Sequence, residues 1–146
     1  MNVHIYSRSA IMTLIKEGFP KNTAVISFYS GKEACKVDFP NVTEHVFYVP
    51  APDLDIEVLE NFGYTYDSYM ANAPELAKFI ILANTRGLDI ICQCDYGQSR
   101  SAACAAAILE FFEGRGIDVF ADYRYYPNQL VFNKVLSALK AHGSSN

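Results

Sequence analysis

At 146 residues the chain is the length of one domain and can bury roughly two-thirds of its unfolded surface, so it needs no disulfide or metal to hold a core. Apolar residues make up 51% and charged residues 19%, which excludes a disordered chain, and no apolar run nears the roughly 20 residues that span a bilayer. A net charge of −4 and a pI near 5.3 argue against nucleic acid, which would want a basic face.

Residues 1–8 lack the basic and then apolar pattern of a signal peptide. The expectation is therefore a soluble cytoplasmic domain without a membrane partner; nothing in the sequence indicates an oligomeric state. Without an export signal Cys35, Cys92, Cys94 and Cys104 read as reduced thiols. Cys92 and Cys94 stand one residue apart, but no second ligand pair accompanies them and His4, His45 and His142 are scattered. No metal and no cofactor are expected.

In chain order, Val3 to Tyr6 reads as a short strand, and Ser7 or Ser9 can cap a helix through Glu17 that carries Ile11, Leu14 and Ile15 on one side. Ala24 to Tyr29 is a strand of the fully buried type, and Val46 to Val49 is another, stopped by Pro50 and Pro52. An acidic loop, Asp53 to Glu57, follows. Asn72-x-x-Glu75 has the form of a capping box with Pro74 in the first turn, opening a helix that ends before Gly87; whether residues 67–71 add an earlier turn is open. Leu88 to Cys92 is a strongly apolar strand. Residues 100–113 are alanine-rich and helical by propensity, with Gly114 and Gly116 beyond. A last helix spans about Asn128 to Ala141, with Leu130, Val131, Val135, Leu136 and Leu139 inward and residues 143–146 as a frayed tail. Strands alternating with helices predict a single α/β domain, residues 1–146, with a mostly parallel sheet covered by helices on both faces.

The informative stretch is Ile90-Ile91-Cys92-Gln93-Cys94-Asp95-Tyr96-Gly97-Gln98-Ser99-Arg100-Ser101. A buried strand runs through a turn into a helix N-terminus, whose first N–H groups lack internal partners and carry the positive end of the helix dipole. Such a turn cradles anions. Gly97 permits a positive φ and close approach of the backbone to a ligand. Cys94 lies at the lip of the cradle, where dipole and amides favour the thiolate. Arg100 offers a planar fork for two oxygens of one phosphate, and Ser101 a hydroxyl in reach of the sulfur. A bare Cys-x5-Arg arises by chance in about one chain in seven of this kind, so the weight rests on the strand before it, the glycine within it and the helix after it. Acidic residues, not arginine, suit a first helical turn, and Arg100 there implies an anion in front of it.

Cys94 to Ser101, followed by Ala102-Ala103-Cys104-Ala105-Ala106-Ala107-Ile108, resembles the signature of the cysteine-dependent protein tyrosine phosphatases, closest to their compact dual-specificity-like branch with its small bacterial members. The order of Ala24–Ser27, the acidic loop, the signature and Tyr126-Pro127-Asn128 also fits, over about three-quarters of the chain; a mid-chain cysteine separates it from the low-molecular-weight phosphatases. The resemblance implies that Cys94 attacks phosphorus to form a phosphocysteine, that Arg100 and the amides of Asp95, Tyr96, Gly97, Gln98 and Ser99 hold the phosphoryl oxygens, and that Ser101 helps the thiolate leave. It implies a general acid on the acidic loop, Asp55 or Asp53, with Asp55 slightly favoured. The substrate would be a phosphorylated protein or a small phosphomonoester.

Asn128 matches a family position near the site and equally suits an N-cap. One departure matters: the family has histidine directly before the cysteine, where this chain has Gln93, so a thiol pKa higher than is usual in the family is expected. Two alternatives follow, a rhodanese-like sulfurtransferase or arsenate-reductase-type enzyme, and a non-catalytic phosphate-binding protein. Cys92 and Cys104 read as packed core thiols more than as a protective disulfide. Tyr96 and the run Tyr123 to Tyr126 read first as packing beneath their loops and second as lining a cleft.

Overall fold

Four short strands, Val3–Tyr6 (β1), Thr23–Tyr29 (β2), Val46–Pro50 (β3) and Asp89–Gln93 (β4), pair entirely in parallel in the order β1-β4-β2-β3 in the computed structural model of the chain, which describes residues 1–40 and 42–144. Five helices complete the single domain: Arg8–Glu17 (α1), Ala73–Thr85 (α2), Arg100–Glu113 (α3), Ile117–Phe120 (α4) and Gln129–Ser144 (α5). Every residue of β2 is buried, as a parallel strand covered on both faces requires.

Alternation along the strands sorts the core into two layers. Val25 and Ile91 face α1, packing with Ile11, Val37 and Phe39. Ala24, Ile26, Phe28, Ile90 and Cys92 face the other way into the larger core with α2, α3 and α5. The helix after β1 therefore covers one face and the helix after its neighbour β4 covers the other. A crevice opens between the carboxyl ends of two such strands, which is where open α/β sheets bind ligands.

Ser7 caps α1, accepting from the Ala10 N–H at 3.1 Å. Asn72 precedes α2 without forming the expected capping box: its side chain caps no N–H. The second helical position is Pro74, which has no N–H to give, and Asn72 itself sits near the helical region (φ −89°, ψ 15°), not in the extended conformation that swings a cap oxygen over the turn. Turns do occupy residues 66–72. The last helix outruns its expected end and takes in Gly143 and Ser144; Ser145 and Asn146 of the expected tail lie outside the described residues. The short α4 gave no periodic signal. No described helix is long and apolar enough to cross a membrane.

Ala102 to Ala107 are at most 1% exposed, so the first two turns of α3 are enclosed on all sides and their methyl groups set how closely sheet, α4 and α5 approach. Ala106→Leu should overpack this layer and cost about 1–3 kcal/mol, read as a lower urea midpoint; an unchanged midpoint would show the helix to be loosely held.

Candidate active site

The turn between β4 and α3 is gripped from three sides, and each grip uses a carbonyl. The Cys94 carbonyl accepts from Gln93 Nε2 at 3.1 Å, and the Asp95 carbonyl accepts from the Arg8 N–H at 3.0 Å. Those of Gln98 and Ser99 accept from the N–H groups of Tyr126 (2.8 Å) and Asn128 (3.2 Å). Each of these carbonyls shares a planar trans peptide unit with the next residue's N–H, which points the opposite way; the chain has no cis bond among the described residues. The N–H groups of Asp95, Tyr96, Ser99 and Arg100 are thereby turned away from the scaffold. Among the described residues, none of the main-chain N–H groups from Asp95 to Arg100 donates a hydrogen bond.

Gly97 makes the grip by Arg8 possible. Its φ is +68°, and a Cβ there would lie 2.7 Å from the Ser7 nitrogen and 2.9 Å from the Tyr6 carbonyl carbon, so only glycine lets the loop press onto the β1–α1 junction. This leaves no room beneath for a ring. Tyr96 accordingly stands 82% exposed, and Tyr123 and Tyr126 are exposed as well, contrary to the expectation that they pack under their loops; Tyr125 alone of the run packs inward, against the α3–α4 layer.

Cys94 is buried beside Cys92 in the larger core, and its Sγ lies 3.1 Å from Ser101 Oγ. Cys92 and Cys104 are fully buried; hydrogen bonding to Cys104, then burial, hold the Cys92 thiol well above its ordinary pKa, so it stays neutral behind the loop. All four cysteines are free. Arg100 is 4% exposed. Its Nη1 donates to the Ala51 carbonyl at 2.8 Å, its Nη2 meets Asp95 Oδ2 at 3.3 Å, and its Nε has no partner.

The two acidic-loop candidates separate in space. Asp53 is brought to the loop: its Oδ1 accepts from Ser99 Oγ at 2.8 Å and from Asn128 Nδ2 at 2.7 Å. Asn128 also takes the N-cap role, its Oδ1 accepting from the Val131 N–H at 3.0 Å. Tyr69 fixes the same segment from below, donating to the Pro52 carbonyl at 2.6 Å; burial raises its pKa and keeps that donor protonated. Asp55 lies at the start of a single 3₁₀ turn, Ile56–Val58, on a neighbouring groove.

Behind the sulfur, register sets Ser27 of β2 opposite Gln93 of β4 on the α1 side of the sheet. Ser27 Oγ donates to Gln93 Oε1, and Gln93 Nε2 bonds the Cys94 carbonyl, so both polar side chains in this buried layer are satisfied. Sequence reasoning missed Ser27, although a serine in the middle of a buried strand was its signal; the Ala51 carbonyl, a main-chain acceptor, carried none. Among the described residues no three His, Cys, Asp or Glu side chains cluster to hold a metal ion.

No family model and no curated protein matches the sequence. Solved structures do. The chain superposes on PTPMT1 with a TM-score of 0.59 at 15% identity, covering 99% of this chain and 96% of that one; PTPMT1 has also been solved in complex with PI(5)P. Human DUSP28 gives 0.58 at 17% identity over 99% and 95% of the two chains. A human tyrosine phosphatase-like serine/threonine/tyrosine-interacting protein gives 0.54 at 18% identity over 95% and 85%. The chain shares the phosphatase-like α/β fold of these structures. The Gln93–Ser27 pair is buried in this fold directly behind the loop. Ser27→Ala would strand Gln93 Oε1 in the core and should cost about 1–3 kcal/mol. The exposed Ser137→Ala should stay within about 0.5 kcal/mol; equal urea midpoints for the two would contradict the pairing.

Proposed function

We propose that the chain hydrolyses phosphomonoesters, of a phosphorylated protein or a small molecule, through a phosphocysteine at Cys94. The observation that carries this reading is the set of donors left without acceptors on one turn: four N–H groups turned from the scaffold, and a buried Arg100 Nε with no partner. A buried donor without a partner costs about 1–3 kcal/mol, and the equatorial oxygens of a phosphoryl group are acceptors of matching charge and spacing.

In the first step the Cys94 thiolate attacks phosphorus in line, the S–P bond forms and the ester P–O bond breaks. Asp53 in its acid form gives its proton to the departing oxygen. Water then attacks the phosphocysteine while the Asp53 carboxylate takes a proton from it; the S–P bond breaks and phosphate leaves. Ser101 Oγ, donating to the sulfur, stabilises the thiolate released in this second step. Asp53 is preferred over Asp55 because Ser99 and Asn128 tether it to the loop. That tethered acid also favours phosphate ester hydrolysis over sulfur transfer, which has no use for one.

Cys94→Ser should abolish hydrolysis of phosphotyrosine, and Asp53→Asn should lower kcat by roughly 10²–10⁴-fold, while Asp55→Asn stays close to wild type. The Asp53 loss should be smaller on p-nitrophenyl phosphate, whose leaving oxygen departs unprotonated. Turnover that survives Cys94→Ser, or sulfur transfer from thiosulfate to cyanide in place of ester hydrolysis, would overturn the reading.

A further inference from the structure

Beside the loop a groove of about 400 Å³ runs between the turn at residues 55–57 and the start of α5. It reaches the loop at Ser99 and Asn128, the two residues that tether Asp53. Asp55 and Glu57 line it and no basic residue does. Two apolar walls are open to solvent: Ile56 is 61% exposed and Tyr126 73%. The cations of the flanking segments are engaged elsewhere, Arg124 with Asp122 at 2.6 Å and Lys134 with the Tyr66 carbonyl at 2.8 Å and over the Tyr66 ring.

A pair of surface carboxylates alone specifies nothing. Here the independent pointer is the loop that the groove meets at Ser99, next to the 96%-buried Arg100, which keeps an Nε without an acceptor. A molecule whose phosphoryl group sits there must run out over one of the surfaces around it, and this one carries two carboxylates and no basic residue.

Resting on the phosphatase reading, we infer that the groove receives the polypeptide of a phosphorylated protein substrate and selects a lysine or arginine close to the phosphorylated residue. The methylene stem of such a residue covers Ile56 and the Tyr126 ring, which would otherwise face water. Its charged head meets Asp55 and Glu57, with the Tyr126 face available for a cation–π contact. A phosphoinositide headgroup, which keeps an anionic phosphodiester outside the loop, meets the same two carboxylates as repulsion. Charge complementarity therefore favours a basic phosphopeptide over a polyanionic lipid.

The test uses phosphotyrosine peptides that differ only by a lysine or a glutamate, moved one position at a time along each flank. Binding to Cys94→Ser is read by fluorescence anisotropy, and kcat/KM is read on wild type, with PI(5)P in neutral vesicles as a separate arm. On one flank the lysine peptide should bind and turn over about fivefold better than its glutamate twin at low salt. That advantage should shrink toward 1 M salt, where the Debye length is about 3 Å, and in Glu57→Gln. Equal kcat/KM for the two peptides at every position, with p-nitrophenyl phosphate still hydrolysed, would overturn the groove and leave the phosphatase reading standing. No turnover of any ester, with the lysine preference intact in binding, would do the reverse. PI(5)P turned over faster than every peptide, or a preference unchanged in the combined Asp55→Asn and Glu57→Gln variant, would also overturn it.

Discussion

The structure depends on where the carbonyls of one short turn point. Those of Cys94, Asp95, Gln98 and Ser99 are held by Gln93, the start of α1 and the Tyr126–Asn128 segment. Because a peptide unit is planar and trans, fixing its C=O fixes its N–H. Surrounding segments that touch only the back of the loop thus decide what its front presents. The four-stranded order supplies those segments: β1 lies beside β4, so the β1–α1 junction meets the turn directly, and the close approach at Gly97 is what a larger residue would forbid.

Charge is arranged on the same principle. Arg100 occupies a first helical turn, where a cation is disfavoured by the dipole, and is sunk into the protein with two of its nitrogens paired and Nε unpaired. Asp95 and the Ala51 carbonyl orient the guanidinium without satisfying it. Asp53 is handled oppositely: it stays on the surface, and two neutral donors, Ser99 and Asn128, hold it there. Cys92, close behind the sulfur of Cys94, is kept neutral by Cys104 and by burial, so one sulfur in this cluster meets the loop and the others pack as core. The hydrogen-bonded Gln93–Ser27 pair fixes the end of β4 without adding charge.

Much of this was legible from residue order. The four strands, the boundaries of α3 and the cap at Ser7 follow from burial-type runs, alanine content and small polar residues at helix starts. The strand–glycine–arginine–helix pattern was enough to place Cys94, Arg100 and Ser101 on one turn. What was not legible depended on main-chain direction and long-range register. The choice between Asp53 and Asp55 needs to know that Ser99 and Asn128 converge on Asp53, from 46 and 75 positions away in the chain. Ser27 opposite Gln93 is a register fact, since a slip of one residue would send the hydroxyl to the other face. The capping box failed because Asn72 sits near the helical region and not in the extended conformation a cap needs, and Tyr96 stayed outside because its loop lies pressed onto the β1–α1 junction at Gly97.

The most direct test is diffraction from crystals soaked in orthovanadate, which mimics phosphorus bonded in line to sulfur. The account predicts vanadium on Cys94 Sγ, Arg100 Nε about 2.7–3.2 Å from an equatorial oxygen, and the N–H groups of Asp95, Tyr96, Ser99 and Arg100 turned toward the anion. Vanadate bound at another surface, or a turn whose N–H groups face away while Arg100 keeps only Asp95 and Ala51, would contradict it.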